Sequence, residues 1–365
     1  MSNTRAVSST YLEWAKLCSH AKYNLATSGI MGYPLAELHI SAQNLEINGP
    51  TVYGYAPLQE RLARKCKVGP DCIVAAAGTA MANHLAMAAL IEAGDDVLVE
   101  QPTYGPVLEV ASYLRANIIR LERRAEHDYQ VDLDDLARRI TPKTRLICLT
   151  NLHNPSGALL SEATLTRIGE IAQNSGAQVL VDEVYLDMVY DQPVRSSFHL
   201  GSNFVVTTSL TKAYGLSGLR CGWIVAQPDL AKRMWRLNDL FAASPVHAGE
   251  LLSVIALDQL SKIDARARGI LHVNREALDA FFSGRGDLDG FRSRWGTVIF
   301  PRLKRGSVDE FCEVLRARYE TSVVPGRFFE MPDHFRIGIG GDPAMTREGL
   351  RRLAAALDEW GTSHS

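Results

Sequence analysis

The chain has little that would tie it to a membrane, a metal or a nucleic acid. No stretch of its 365 residues approaches the roughly 20 apolar residues that a membrane span requires. Its six cysteines (Cys18, Cys66, Cys72, Cys148, Cys221 and Cys312) are scattered and form no C-x-x-C pair. That removes the usual signs of a zinc or dithiol centre and leaves reduced, mostly buried thiols as the expectation. Lys and Arg number 39 against 41 Asp and Glu, a net charge of −2, and no basic run is long enough for a nucleic-acid footprint. The opening MSNTRAVSSTYLEWAK lacks the apolar core of a secretion signal, so the cytoplasm is the expected compartment. Internal repeats, low-complexity tracts and Pro-rich linkers are missing too, and lysine is scarce, with nine in all.

What is present suits an ordinary globular protein: 46% hydrophobic and 22% charged residues. At roughly 150 residues per domain, the length predicts two domains. Between about residues 70 and 226, short β-rich runs alternate with helical spacing, the pattern of βα units around a mostly parallel sheet. The runs are Cys72–Ala77, Asp96–Glu100, Asn117–Leu121, Arg145–Thr150, Gln178–Glu183, Phe204–Ser209 and Gly222–Ala226. Helical periodicity covers Ala80–Ala93 and Ser161–Ser175 between them. Beyond Asp229 come longer helical segments, Pro228–Phe241, Ala248–Leu260 and Val273–Phe282, then short strands near Thr297–Pro301 and Phe335–Ile339. We therefore expect an α/β chain in which residues 49–240 form a large domain and 241–365 a smaller α+β domain. Residues 1–48 form an extended arm that joins the smaller domain.

In open α/β sheets ligands sit beyond the carboxyl ends of the strands, so those positions carry the functional expectations. Gly78-Thr79-Ala80 leads into a helix whose free N–H groups suit a phosphate, although such a turn also serves as a plain N-cap. Tyr104 follows the second strand and either presents its ring face to a flat ligand or is an ordinary turn residue. The fourth strand runs into Asn151-Leu152-His153-Asn154-Pro155-Ser156-Gly157, where Asn154, before proline, is biased toward extended backbone. Asp182 ends an apolar strand and needs a cationic or strong donor partner: a protonated pyridine nitrogen, with Tyr185 reaching the same ring, or a structural salt bridge. The sixth strand leads to Ser209-x-x-Lys212 and Gly218-x-Arg220. Lys212 stands apart from the chain's surface lysines, and partial desolvation would make it a Schiff-base nucleophile. Ser209 and Arg220 suit a phosphate, and Arg336, in a short apolar strand, suits a carboxylate.

Taken together and in order, from about Asn24 to Asp342, these segments resemble the class I/II aminotransferases of the pyridoxal-phosphate (PLP) fold type I superfamily. The resemblance implies a large domain with a mostly parallel seven-stranded sheet flanked by helices, a smaller α+β domain, and pyridoxal 5'-phosphate as cofactor. It implies that Lys212 holds the cofactor as a Schiff base and shuttles the α-proton. Asp182 would keep the ring nitrogen protonated, Asn154 and Tyr185 would hold the phenolic oxygen, and Tyr104 would stack on the ring. Gly78, Thr79, the Ala80 N–H, Ser209 and Arg220 would hold the phosphate, while Arg336, Asn154 and the Gly29 backbone would bind the substrate. Amino acid and 2-oxo acid substrates, a homodimer and no metal complete the expectation.

The chain departs from the family pattern where a tyrosine usually reaches the partner subunit's phosphate: Gly49 stands there, with Tyr53 or Tyr55 as substitutes. Pro-Thr-Gly is replaced by Pro-Ser-Gly, which keeps the hydroxyl. The favoured activity is transamination. The same scaffold also serves lyases, decarboxylases, cyclising synthases and oxidases, and fold analogy does not choose among them. A PLP-binding sensor would need a DNA-binding domain ahead of the arm. Arg5, Arg236, Arg294, Arg327, His20, Tyr23, Tyr33 and Tyr214 are further pocket candidates without a specific pattern behind them.

Overall fold

The computed structural model describes residues 5–41, 45–50 and 52–363. Seven strands form the central sheet: β1 (Ile73–Ala77), β2 (Asp96–Gln101), β3 (Asn117–Glu122), β4 (Thr144–Thr150), β5 (Gln178–Asp182), β6 (Phe204–Ser209) and β7 (Cys221–Val225). Their spatial order is β1-β7-β6-β5-β4-β2-β3. All neighbours are parallel except β7, which runs antiparallel to both β1 and β6.

Burial on both faces explains why the strands read as unbroken apolar runs rather than as alternating ones. Successive side chains go to opposite cores. Val97, Val99, Leu146, Cys148 and Leu180 join one, whereas Leu98, Ile147, Leu149, Val179 and Val181 join the other. Helices Thr79–Leu90, Gly105–Tyr113 and Glu162–Ser175 cover the sheet. Strand ends move by a residue or so from the sequence expectation; Cys72, for example, belongs to a short 3-10 turn rather than to β1.

The C-terminal part of the chain packs helices Leu260–Phe282, Val308–Tyr319 and Pro343–Ser363 around short strands, Phe335–Gly338 lying between Val298–Ile299 and Val324–Pro325. Val273–Phe282 is thus the second half of a 23-residue helix. The arm is tied to this part of the chain, since Tyr23–Asn24 pairs in parallel with Thr321–Ser322 and the Gly338 N–H donates to the Leu25 carbonyl at 2.7 Å.

The arm is not extended throughout. Thr10–Leu17 is a helix, N-capped by Ser9, whose hydroxyl accepts from the Leu12 N–H. Eight residues are too few to hold a helix alone. This one is held from outside, by Tyr11 packed edge-on to Tyr104 and by Trp14 against Phe328.

Candidate active site

The residues nominated for a phosphate lie where β1 ends. Thr79, Ala80 and Met81 occupy the first helical turn, where N–H groups have no intrahelical acceptor. Thr79 Oγ1 donates to Ser209 Oγ at 2.8 Å, which joins the ends of β1 and β6. Arg220 Nη2 donates to the Ala77 carbonyl at 3.0 Å, bringing the guanidinium alongside. Two glycines permit this approach. A Cβ on Gly78, where φ is +80°, would lie 2.2 Å from Arg220 Nη2, and one on Gly222 would lie 2.4 Å from the Gly78 carbonyl carbon. Backbone donors and a guanidinium therefore converge where a dianion would sit.

Asp182 closes β5, 6% exposed, and no cation forms a salt bridge with it among the described residues. The structural ion pair considered from the sequence is therefore not what satisfies it. Its oxygens accept from Asn83 Nδ2 at 2.9 Å and from the Val184 N–H at 3.1 Å. Burial pushes its pKa up to about 6, against the pull of those two donors. The next residue, Glu183, faces elsewhere and accepts from the Ser197 N–H and hydroxyl, both at 2.7 Å.

Lys212 follows β6, half-buried, and its Nζ donates to Ser28 Oγ at 3.1 Å. The same serine hydrogen-bonds the Tyr185 phenol. Burial, then the positive charge of Arg336, pushes Lys212 down to about 8, while Asp182 pulls it back up. Tyr185 is pushed up to about 12, chiefly by burial. Gly29 packs directly on the lysine: a Cβ there would sit 3.3 Å from Lys212 Cδ, and the following Ile30 N–H donates to the Lys212 carbonyl.

Arg336 is fully buried. Its Nη1 donates to Asn154 Oδ1 at 2.9 Å, and its Nη2 donates to Tyr11 Oη at 2.8 Å and to the Ala26 carbonyl at 3.2 Å. Its Nε has no partner. Asn154 is held in turn by the Thr150 hydroxyl, which accepts from the Asn154 N–H at 2.9 Å and donates to Glu100. Tyr104 is partly buried beside Tyr11, and burial raises its phenol well above the ordinary value.

The residues assigned specific roles from the sequence therefore lie at this one end of the sheet, on the strand carrying Arg336, or, for Gly29, in the arm packed on Lys212. The looser candidates point elsewhere. Arg327 pairs with Asp309, Arg294 with Asp191, and Arg5 lies over the Tyr113 ring. Arg236 sits in the last turn of helix Pro228–Asn238. His20 bonds the Lys16 carbonyl, Tyr23 lies under Arg352, Tyr33 bonds the Glu37 carbonyl, and Tyr214 accepts from Lys65. Tyr53 donates to Asp239 and Tyr55 packs edge-on to His247.

Sequence reasoning missed Tyr11, Ser28 and Asn83. Tyr11 and Ser28 lie in the arm with no distinguishing pattern. Asn83 did leave a sign: an amide that, apart from His84, stands in the apolar helix segment Ala80–Leu90, one turn after Thr79.

Residues 35–356 match the family described as Aminotransferase class I and II. This chain belongs to the class I and II aminotransferase family. It is 32% identical over 357 residues to the capreomycidine synthase of Streptomyces vinaceus, covering 94% of this chain and 90% of that one. Among solved structures, a PLP-dependent aminotransferase from Streptococcus suis superposes with a TM-score of 0.91 at 26% identity, covering 98% of this chain and 99% of that one. The PLP-dependent cyclase OrfR has the same fold, with a TM-score of 0.87 at 24% identity and 98% coverage of both chains. The fold is PLP fold type I, and the cofactor of the family is pyridoxal 5'-phosphate. The residues present fit that group. Asp182 is a buried carboxylate with no salt bridge among the described residues, and the turn at Gly78 to Ala80 offers N–H groups beside a guanidinium.

Proposed function

We propose that this member of the family binds an α-amino acid through PLP and removes its α-proton, with Lys212 as both cofactor lysine and acid–base group. The observation that carries the reading is the convergence of three groups: a half-buried lysine, a buried carboxylate that no salt bridge satisfies among the described residues, and a fully buried arginine. When bound, the cofactor supplies an electron sink for the electrons left on the α-carbon.

The chain's own residues do the rest. Lys212, held near a pKa of 8, is neutral in a useful fraction at neutral pH and takes and returns a proton. Asp182 holds the proton on the ring nitrogen, and Asn154 and Tyr185 hold the phenolic oxygen. Gly78, Thr79, Ala80, Ser209 and Arg220 bind the phosphate, and Tyr104 covers the ring. Arg336, with Asn154 and the Gly29 backbone, binds the α-carboxylate in the forked geometry that guanidinium offers.

For the fate of the substrate we favour a synthase reaction that closes a ring and keeps the amino group. Its support is the 32% identity to capreomycidine synthase across 94% of the chain, a relative named as a synthase, together with the name of the structural neighbour OrfR as a PLP-dependent cyclase. Transfer of the amino group to a 2-oxo acid is the second reading, favoured by the match to the Streptococcus suis aminotransferase. Incubating holoenzyme with single amino acids, with and without 2-oxo acids, separates the two. Repeated turnover without an oxo acid, with the amine retained in product, supports the synthase. Conversion of the cofactor to its amine form and oxo-acid-dependent turnover refute the synthase and support transfer. If Lys212→Ala still binds PLP in a borohydride-reducible form, the lysine assignment itself is wrong.

We also propose a homodimer. Leu45, Ile47, Val52 and Tyr53 expose apolar surface, as do Leu240, Phe241 and Val246, and the two segments meet through the Tyr53–Asp239 hydrogen bond. A monomer in sedimentation at micromolar concentration would refute this.

A further inference from the structure

Helix Thr79–Leu90 buries Ala82, Asn83, Leu85, Ala86 and Met87, so a side-chain amide sits among alkyl groups. A buried amide is costly unless its hydrogen bonds are made, and this one is engaged at both ends. Asn83 Nδ2 donates to Asp182 Oδ2 at 2.9 Å, and Asn83 Oδ1 accepts from Thr207 Oγ1 at 2.5 Å. Thr207 is fully buried on β6, directly opposite Asp182 in the register with β5.

The chain of bonds has one polarity. An ionised carboxylate only accepts, so Asn83 must turn its NH₂ toward Asp182. That leaves the amide oxygen facing Thr207, whose hydroxyl must then donate. The carboxylate opposes the reversed amide, which would press oxygen against oxygen, and the Thr207 hydroxyl anchors the amide oxygen that the preferred orientation turns away from Asp182. Lys212 is the cation acting on Asp182 and Glu100 the anion, while burial works against ionisation. The donors from Asn83 and the Val184 N–H counter that burial.

We propose that Asn83, oriented by Thr207, is a positioning residue that keeps Asp182 ionised and directed at the ring nitrogen of bound PLP. The relay thereby sets how strongly the cofactor withdraws electrons. It rests on the assignment of Asp182 to the ring nitrogen made above.

The test is an absorbance titration of the bound cofactor together with its dissociation constant, read by fluorescence quenching, neither of which needs a known substrate. A protonated ring nitrogen lowers the pKa of the imine nitrogen at Lys212. Thr207→Val and Asn83→Leu are therefore expected to raise the titration midpoint by about one unit and to weaken PLP binding about tenfold, the range for one hydrogen bond to a charged group. Thr207→Ser, which keeps the hydroxyl, should retain the wild-type midpoint. Thr207→Val matches threonine in shape and keeps the test open if Asn83→Leu does not fold. An unchanged midpoint in Thr207→Val, or a loss of thermal stability alone, overturns the relay. Asp182→Asn separates the two claims. It must move the midpoint at least as far, and if it does not, the ring-nitrogen assignment fails and the relay with it. A shift in Asp182→Asn but in neither relay variant refutes the relay alone.

Discussion

In apoenzyme, the reactivity of Lys212 toward PLP should follow a titration near pH 8 rather than near the ordinary lysine value of 10.5. At pH 7 a lysine of pKa 8 is neutral about 10% of the time, and one of pKa 10.5 about 0.03%, so burial and the charge of Arg336 raise the reactive fraction about 300-fold. The causes carry signs that mutagenesis separates. Arg336→Gln removes a cation that disfavours the ammonium, so the midpoint should rise. Asp182→Asn removes the anion that favours it, so the midpoint should fall. Each shift should be about one unit or less, since an ionised neighbour in a partly buried site acts through an intermediate dielectric. The assay is the stopped-flow rate of imine formation between apoenzyme and PLP from pH 6 to 10. The logarithm of the rate should climb to about pH 8 and then level off. A wild-type rate still climbing at pH 10, or both variants moving in the same direction, would refute the reasoning.

Two further outcomes test the support beneath the site. Arg123 and Glu100 form an ion pair at 2.5 Å with each residue 1% exposed, and Glu100 also accepts from the Thr150 N–H and hydroxyl. Arg123→Met should therefore cost about 3–5 kcal/mol in urea unfolding by leaving a buried carboxylate without its cation; a loss below about 1 kcal/mol would show that the pair is not buried in solution. Glu183 is pushed up to about 7 by burial. Because its folded pKa lies above the unfolded value of 4.5, its contribution to stability is complete below pH 4.5 and is lost as pH rises to about 7, by up to about 3 kcal/mol. Unfolding free energies of wild type and Glu183→Gln across that window should diverge accordingly, and parallel curves would refute the sign.

Much of the site was legible because strand ends announce themselves. Five of the strands in the sheet are followed within a few residues by a nominated side chain, and their both-face burial made the runs easy to find. Lys212 was visible because lysine is rare here, and Arg336 because a charged residue stood in an apolar strand. The arm was less readable. The helix Thr10–Leu17 is too short to form by its own propensity and exists through contacts with Tyr104 and Phe328, residues about 90 and 320 positions away.

The sequence alone determined the fold class, the order of the elements and most of the groups with chemistry to offer, because apolar periodicity and residue type are local properties. What the tertiary structure decided is which groups touch. Asn83 meets Asp182 only because a helix packs on the sheet, Ser28 reaches Lys212 only because the arm folds back, and Tyr11 reaches Arg336 only because Tyr104 and Phe328 hold its helix. Those contacts depend on packing between segments far apart in the chain. The same packing removes water from around Lys212 and Asp182, and so moves both toward neutral pH.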